Sequence, residues 1–247
     1  MAGRPKMFDA CVVLTAHAEG LLLQKSWRSL MRSRVAARSA GISTQVILVL
    51  DRPTRETRRT AEGLSSMEDV DQMIDLDEGD VGVARNRAAE SASAEWIGVL
   101  DGDDYISASW IASSLELARS GQDRPIIHPE WVVFFGDSPM IHRQRAQDDP
   151  MFNRNVLLVA NPWNSCSFAH SEVRARHPYR RSDVNGQGFG HEDWLWHCDT
   201  LAAGCVHKVA ARTLHCVRQK KQGSMNREHA SLNALPASSP FFDRPWA

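Results

Sequence analysis

Long apolar runs are missing from this chain: no window of its 247 residues approaches the roughly 18 consecutive apolar positions a membrane-spanning helix needs. Any membrane contact would therefore be peripheral. The first apolar run, Ala10 to Ala16, is short and no small-residue cleavage pattern follows it, so the expectation is a cytoplasmic protein without a signal peptide. Paired cysteines are missing too. Cys11, Cys166, Cys198, Cys205 and Cys216 are odd in number and contain no Cys-x-x-Cys, which suits a reducing compartment rather than a disulfide framework. There is no excess of one charge: 29 Lys and Arg face 30 Asp and Glu, so nucleic acid exerts no global pull and any polyanion contact must be local. Repeats and low-complexity stretches are absent, and tyrosine is scarce, two residues against eight tryptophans.

What remains is an ordinary globular composition, 43% hydrophobic and 24% charged, with enough length for one large α/β domain. Short apolar runs at Ala10–Thr15, Gln45–Leu50, Asp71–Leu76 and Glu95–Leu100 alternate with helical patterns at Leu21–Ala40, Pro53–Leu64 and Val83–Ser93. This βαβαβαβ rhythm predicts a mostly parallel central sheet with helices on both faces and a ligand site outside the carboxyl ends of the strands. Those ends read Thr15-Ala-His-Ala-Glu-Gly, Asp51-Arg-Pro-Thr, Asp77-Glu-Gly-Asp-Val-Gly and Asp101-Gly-Asp-Asp. Polar turns occur at strand ends anyway, but four acidic loops on one edge favour a site.

The second half is less regular. Ile126–Phe135 is β-prone but contains Pro129, which predicts an edge or a bulge. Gly136-Asp-Ser-Pro139 turns the chain toward Met140–Arg143, and Arg143–Pro150 reads as a polar loop. Ser171–Arg176 and Glu192–Ala203 read as helices, and Cys205–Ala210 and Thr213–Val217 as two strands.

The sharpest local signal is Trp96-Ile-Gly-Val-Leu-Asp101-Gly-Asp103-Asp104. Carboxylates two apart beyond a buried strand can share a hard cation whose other ligands are water and phosphate oxygens, implying Mn²⁺ or Mg²⁺ with a diphosphate. An acidic turn capping the next helix is the plain alternative.

These loops, taken in order with Gly82-Val-Ala-Arg85-Asn86 and Gly190-His-Glu192-Asp193-Trp, resemble the family 2 inverting glycosyltransferases of the GT-A fold over about residues 8–225. The resemblance implies a single transferase domain at 1–225, with a nucleotide-binding half at 8–106, an acceptor-binding half at 107–225 and a tail at 226–247. It implies that Thr15 and Asp51 meet the nucleotide base and that Arg85 reaches the donor. Asp103 holds the metal, Asp101 serves the ribose or the metal, and Glu192 belongs to the donor site. Asp193 matches the catalytic base, and His215 is a candidate metal ligand. The implied partners are a nucleoside-diphosphate sugar, with UDP-sugars first, and a glycan or glycolipid acceptor in cell-surface polysaccharide synthesis; no nucleic acid partner is implied.

Arg218 is a candidate for phosphate contact, with Lys220 read as solvated charge before Gly223-Ser224. Trp163, Trp194 and Trp196 lie in the acceptor half as wall or core residues whose faces can pack on sugars. Asn161-Pro-Trp-Asn-Ser165 is either part of the acceptor site or a plain turn. The Gly186-x-Gly188-x-Gly190 run follows no apolar strand, so it reads as a loop that closes on substrate. Two rivals stand beside this reading. A sugar-nucleotide nucleotidyltransferase wants a basic Gly-rich loop after the first strand, which Thr15–Gly20 lacks. A zinc-stabilised binding domain would use Cys198, Cys205, His207, His215 and Cys216, whose spacing forms no paired knuckle.

Overall fold

A computed structural model describes residues 7–66, 69–121, 123–220 and 229–243. Its elements run β1 (Phe8–Ala16), α1 (Leu22–Ser39), β2 (Thr44–Asp51), α2 (Arg55–Ser65), β3 (Gln72–Leu76), α3 (Val81–Ser91), β4 (Ala94–Asp101), β5 (Tyr105–Ile106), α4 (Trp110–Arg119), β6 (Ile126–Gly136) and β7 (Met140–Arg143). A 3-10 turn (Arg154–Leu158), β8 (Phe168–His170), α5 (Ser171–Arg176), α6 (Glu192–Ala202) and β9 (His207–Gln219) complete the chain.

The strands form one sheet ordered β3-β2-β1-β4-β8-β6-β9-β5, with β7 paired on β6. Parallel pairing holds from β3 to β4, as the alternating sequence predicts, and returns between β6 and β9. Between these blocks the three-residue β8 lies antiparallel to both β4 and β6, so the sheet as a whole is mixed. Residues pointing to opposite faces of β1 feed two cores. Ala10, Val12 and Leu14 pack with Leu23, Trp27 and Leu30 of α1, while Cys11 and Val13 pack with Ala84 and Ala88 of α3. This two-sided burial is why the strands read as continuous apolar runs. Each fully buried Leu or Val contributes about 1.5–3 kcal/mol, and truncating Leu14 to Ala should cost about 2–5 kcal/mol.

Helix starts follow local chemistry. Thr54 caps α2 by accepting from Thr57 N at 3.2 Å, and Asp80 caps α3 by accepting from Val83 N at 2.8 Å. Pro129 sits at an irregularity, not at an edge. Between the Pro129–Ala210 and Trp131–Leu214 pairs, β9 inserts extra residues with Arg212 at φ 59°. Glu130 closes the bulge, its N–H donating to Thr213 Oγ1 (2.9 Å) and its Oε2 accepting from Arg212 N (2.7 Å). The two strands expected at 205–210 and 213–217 are thus one strand interrupted by this bulge.

Among the described residues no helix is long and apolar enough to cross a membrane. The described part of the expected tail, residues 229–243, packs onto the domain: Phe241 joins Leu157, Trp163 and Leu201 in a small core, and Leu235 exchanges backbone hydrogen bonds with Gly188 and Gly190.

Candidate active site

The carboxyl ends of β1, β2 and β4, the start of α3 and the end of β9 enclose a cleft of ≈ 310 Å³. Thr15, Asp51, Arg85, Asp101, Asp103, Arg218 and Lys220 all line it. This is the sheet edge the sequence points to, and the geometry assigns each residue a definite task.

Asp51 organises the opposite loop. Its Oδ1 accepts from the backbone N–H groups of Glu78 (2.8 Å) and Gly79 (3.0 Å), and its Oδ2 accepts from Asp80 N (3.1 Å). Three of the roughly four acceptor sites of a carboxylate are used, so Asp51 fixes the 78–80 loop as one wall of the cleft.

Asp101 accepts from Thr15 Oγ1 (3.1 Å) and Arg85 Nη2 (2.6 Å) at Oδ1, and from Ser165 Oγ (3.1 Å) at Oδ2. Burial is the largest influence and raises its pKa, but the Arg85 charge and hydrogen bond, together with His215 and the Thr15 hydrogen bond, outweigh it and hold the carboxyl below its ordinary range. Arg85 itself is buried, and its Nη1 reaches Glu192 Oε1 at 2.9 Å. Instead of extending freely toward a ligand, Arg85 joins the floor of the cleft to the head of α6. Glu192 is buried beneath this bridge; burial and the Asp193 charge push its pKa up to about 7 against the pull of Arg85.

Gly102 is required where it stands, since a Cβ there would lie 2.6 Å from Thr15 O. This tight turn separates the tasks of its neighbours. Asp103 Oδ2 lies 2.6 Å from Lys220 Nζ and 3.6 Å from Arg218 Nη1. Lys220 is therefore an ion-pair partner inside the cleft rather than a solvated charge. Asp104 turns away, bonding His215 Nε2 (2.9 Å) and Arg218 N (2.8 Å). His215 is fully buried and does not line the cleft; bonded to Asp104, its ring braces the Asp turn from behind. Burial pushes the Asp104 pKa up to about 6 although the His215 bond opposes it.

Among the described residues no three His, Cys, Asp or Glu side chains are grouped to enclose a metal, the Cys198, Cys205, His207, His215 and Cys216 set included. A hard cation needs no such cage, because Mg²⁺-like ions bind through one or two carboxylates plus water and phosphate oxygens. Asp101 and Asp103 fit that demand, and the two cationic side chains drawn to Asp103 mark the negative potential there. Lys221, Gly223 and Ser224 lie outside the described residues.

Asp193 lies in the first turn of α6, next to Glu192. Its Oδ1 accepts from Trp194 N (2.8 Å) and its Oδ2 from Asn161 Nδ2 (3.2 Å). Burial raises its pKa, with Arg85 opposing. The preceding Gly186–Gly190 loop is held by the 229–243 segment: Gly190 N donates to Leu235 O (2.9 Å) and His191 N to His229 Nδ1 (3.1 Å). Trp163 and Trp196 are buried core residues, and Trp194 donates Nε1–H to Leu157 O at 3.0 Å. Ser165, the last residue of the Asn161–Ser165 segment, reaches the cleft floor through Asp101, whereas β8 was left unread because a three-residue strand has no periodicity to find.

No curated protein sequence matches the chain. Among solved structures, S. aureus TarS 1–349 in complex with UDP-GlcNAc is similar at TM-score 0.67 and 12% identity, over 94% of this chain and 68% of that one. The mannosyltransferase PcManGT from Pyrobaculum calidifontis, in complex with GDP-Man and Mn²⁺, follows at TM-score 0.62 and 14% identity over 98% and 68%. GalNAc-T7 with UDP, GalNAc and Mn²⁺ is similar at TM-score 0.60 and 15% identity over 87% and 45%. These likenesses establish the GT-A fold. In sequence, the family described as glycosyl transferase family 2 matches residues 11–171, about two thirds of the chain. The chain belongs to glycosyl transferase family 2, a family of sugar-transferring enzymes.

Proposed function

We propose that the protein is a metal-dependent inverting glycosyltransferase that moves a sugar from a nucleoside diphosphate to a hydroxyl of a glycan or glycolipid in cell-surface polysaccharide synthesis, with UDP-sugars the first donors to test. The observation that carries this reading is the Arg85 bridge, which couples the carboxylate floor of the cleft at Asp101 to the helix that bears Asp193. The nucleotides and Mn²⁺ bound by the structurally similar enzymes support it.

In this reading Asp51 and the loop it organises form the base wall, and Thr15 and Asp101 face the ribose. Asp101 and Asp103 would hold a divalent cation, which when bound neutralises the diphosphate as it leaves. Arg218 and Lys220 lie within reach of the same charge. Asp193 takes the proton of the acceptor hydroxyl. The freed oxygen forms its bond to the anomeric carbon from the face opposite the diphosphate, and the carbon–phosphate oxygen bond breaks with its electron pair going to the leaving nucleoside diphosphate. Burial raises the pKa of Asp193 above its ordinary value, which strengthens its carboxylate as a base.

Calorimetric binding of UDP, GDP, TDP, CDP and ADP, each with Mn²⁺ and with EDTA, tests the donor and metal parts. A metal-dependent affinity for one nucleotide that is lost in Asp103→Ala is expected; identical affinities with Mn²⁺ and EDTA overturn the metal assignment. Asp193→Asn should retain nucleotide affinity and lose transfer, and full transfer by that variant removes the base assignment. An anomeric configuration retained in the product, read by NMR, overturns inversion.

A further inference from the structure

Asp193 is the near end of a hydrogen-bond chain whose proton order can be deduced. A carboxylate only accepts, so Asn161 must turn its Nδ2 to Asp193 Oδ2 (3.2 Å), which leaves its Oδ1 facing His197 Nδ1 at 2.9 Å. An amide oxygen also only accepts, so His197 Nδ1 carries the proton. His197 Nε2 is buried without a hydrogen-bond partner among the described residues, which makes it a bare lone pair and the ring neutral.

The surroundings enforce that neutrality. Burial, His207 and the Arg174 and Arg85 charges hold His197 well below its ordinary range. A second chain in the same cluster ends the same way. Thr200 Oγ1 donates to Trp196 O (2.7 Å) and accepts from His207 Nε2 (3.1 Å), while His207 Nδ1 accepts from His128 Nε2 (3.0 Å), leaving His128 Nδ1 bare and buried. Among the described residues the His197 ring thus has no proton source on its inner side, and its one side-chain hydrogen bond runs outward to Asn161.

We propose that Asn161 and His197 are positioning residues that fix the carboxylate of Asp193 through one ordered chain, from His197 Nδ1–H through the Asn161 amide to Asp193 Oδ2. This rests on the reading of Asp193 as the base. The other charged groups around Asp193 are Arg85, Glu192, Asp101 and His191, and the chain acts beside them as a directional contact.

The chain makes a prediction that needs no substrate. In Asp193→Asn, the Trp194 N–H (2.8 Å from Oδ1) keeps an oxygen on its side and thereby directs the new NH₂ toward Asn161. Asn161 must then flip, its NH₂ meets His197 Nδ1, and the His197 proton moves to Nε2. ¹⁵N–¹H correlation spectra of histidine-labelled full-length protein at pH 8 read this directly, with His197 assigned by its loss in His197→Asn. The expected result is an Nδ1–H tautomer in the unmodified protein, an Nε2–H tautomer in Asp193→Asn, and no dependence on position 193 once Asn161→Ala is present. An unchanged His197 tautomer in Asp193→Asn, or a His197 that titrates as a cation near its ordinary pKa, overturns the proposal.

A kinetic readout separates positioning from mere structure. Asn161→Ala should lower transfer roughly tenfold to a hundredfold, the worth of a hydrogen bond to an ionised group, and move the acid limb of the rate profile to higher pH because the ionised form has lost a donor. Nucleotide affinity should not change. His197→Asn, which keeps an N–H near the Nδ1 position, should recover most of the activity lost in His197→Leu. Unchanged turnover and acid limb in Asn161→Ala overturn the positioning role while leaving the base assignment intact, whereas transfer by Asp193→Asn overturns both.

Discussion

Arg85 Nη2 lies 2.6 Å from Asp101 Oδ1 while its Nη1 lies 2.9 Å from Glu192 Oε1, so one buried guanidinium joins the end of β4 to the start of α6. A fork of fixed planar donors can satisfy two carboxylates on different elements; a lysine ammonium is a point charge that satisfies one. Removing Arg85 leaves two facing carboxylates without their cation in a buried site. Arg85→Met should therefore destabilise the protein by about 3–5 kcal/mol, with Arg85→Lys in between, as read from urea denaturation. A loss below about 1 kcal/mol in Arg85→Met would mean that water reaches and solvates both carboxylates.

The histidine cluster predicts an acid-sensitive core. Burial, His197, His207 and Arg174 hold His128 well below its ordinary range, and burial pulls His207 down to about 3. A histidine with a depressed folded pKa binds its proton more readily in the unfolded chain, so its contribution is complete above about pH 6.5 and is lost as pH falls. Glu192, raised to about 7, works in the opposite sense, so the clean measurement is a difference between proteins. In His128→Phe, which keeps the stack on Trp163 (ring centroids 5.2 Å apart in the parent protein), one such imidazole is gone. The stability advantage of the parent over this variant should shrink by about 1.4 kcal/mol per pH unit below pH 6.5. A pH-independent difference would show that His128 titrates alike in folded and unfolded chains.

Much of this was legible in the sequence, for reasons that differ by element. β1, β2 and β4 are buried on both faces and so read as apolar runs, and Asp51, Asp101 and Asp103 stand at their ends because strand ends form the cleft. Asp193 was singled out only by the order of the motifs in the family resemblance, because an acidic pair in the first turn of a helix is also ordinary helix-dipole chemistry. The partner of His215 was not legible, because a lone histidine in a strand carries no sign of which carboxylate it meets; its register opposite Ile106 sends it to Asp104. Lys220 misled because its partner, Asp103, is 117 positions away in sequence. Asn161 was legible only as a candidate, since the role proposed for it depends on a contact across 36 residues with His197.

Asp51 gives a prediction about the wall of the cleft. Its Oδ1 takes two backbone N–H groups and its Oδ2 a third, from Asp80, which also caps α3. In Asp51→Asn the oxygen can keep Glu78 and Gly79, but the NH₂ then confronts the Asp80 N–H. Leaving one such donor unpaired costs about 1–3 kcal/mol, and the loop carrying Gly79 and Asp80 must shift. The expected result is a modest fall in the urea midpoint together with at least tenfold weaker nucleotide binding. Lower stability with unaltered nucleotide affinity would confine Asp51 to a structural task.

Gly190 separates the two sides of the site in a way that can be measured. A Cβ at this position would lie 2.7 Å from His229 Nδ1 and 2.8 Å from His229 Cε1, so Gly190→Ala must displace the ring that accepts from His191 N. His191 sits at the N-cap of α6 with φ 58°, and Asp193 follows two residues later, so the disturbance reaches the proposed base first. None of Gly190, His191 and His229 lines the nucleotide cleft. Overpacking of this kind costs about 1–3 kcal/mol, paid locally through faster amide exchange at residues 183–191. Transfer should therefore fall while nucleotide affinity stays within about twofold of the parent, a change of only some 0.4 kcal/mol. Equal losses in both would show that the 229–243 segment supports the whole cleft through the Arg85 bridge, and Gly190→Ala combined with Arg85→Lys would then give less than additive effects.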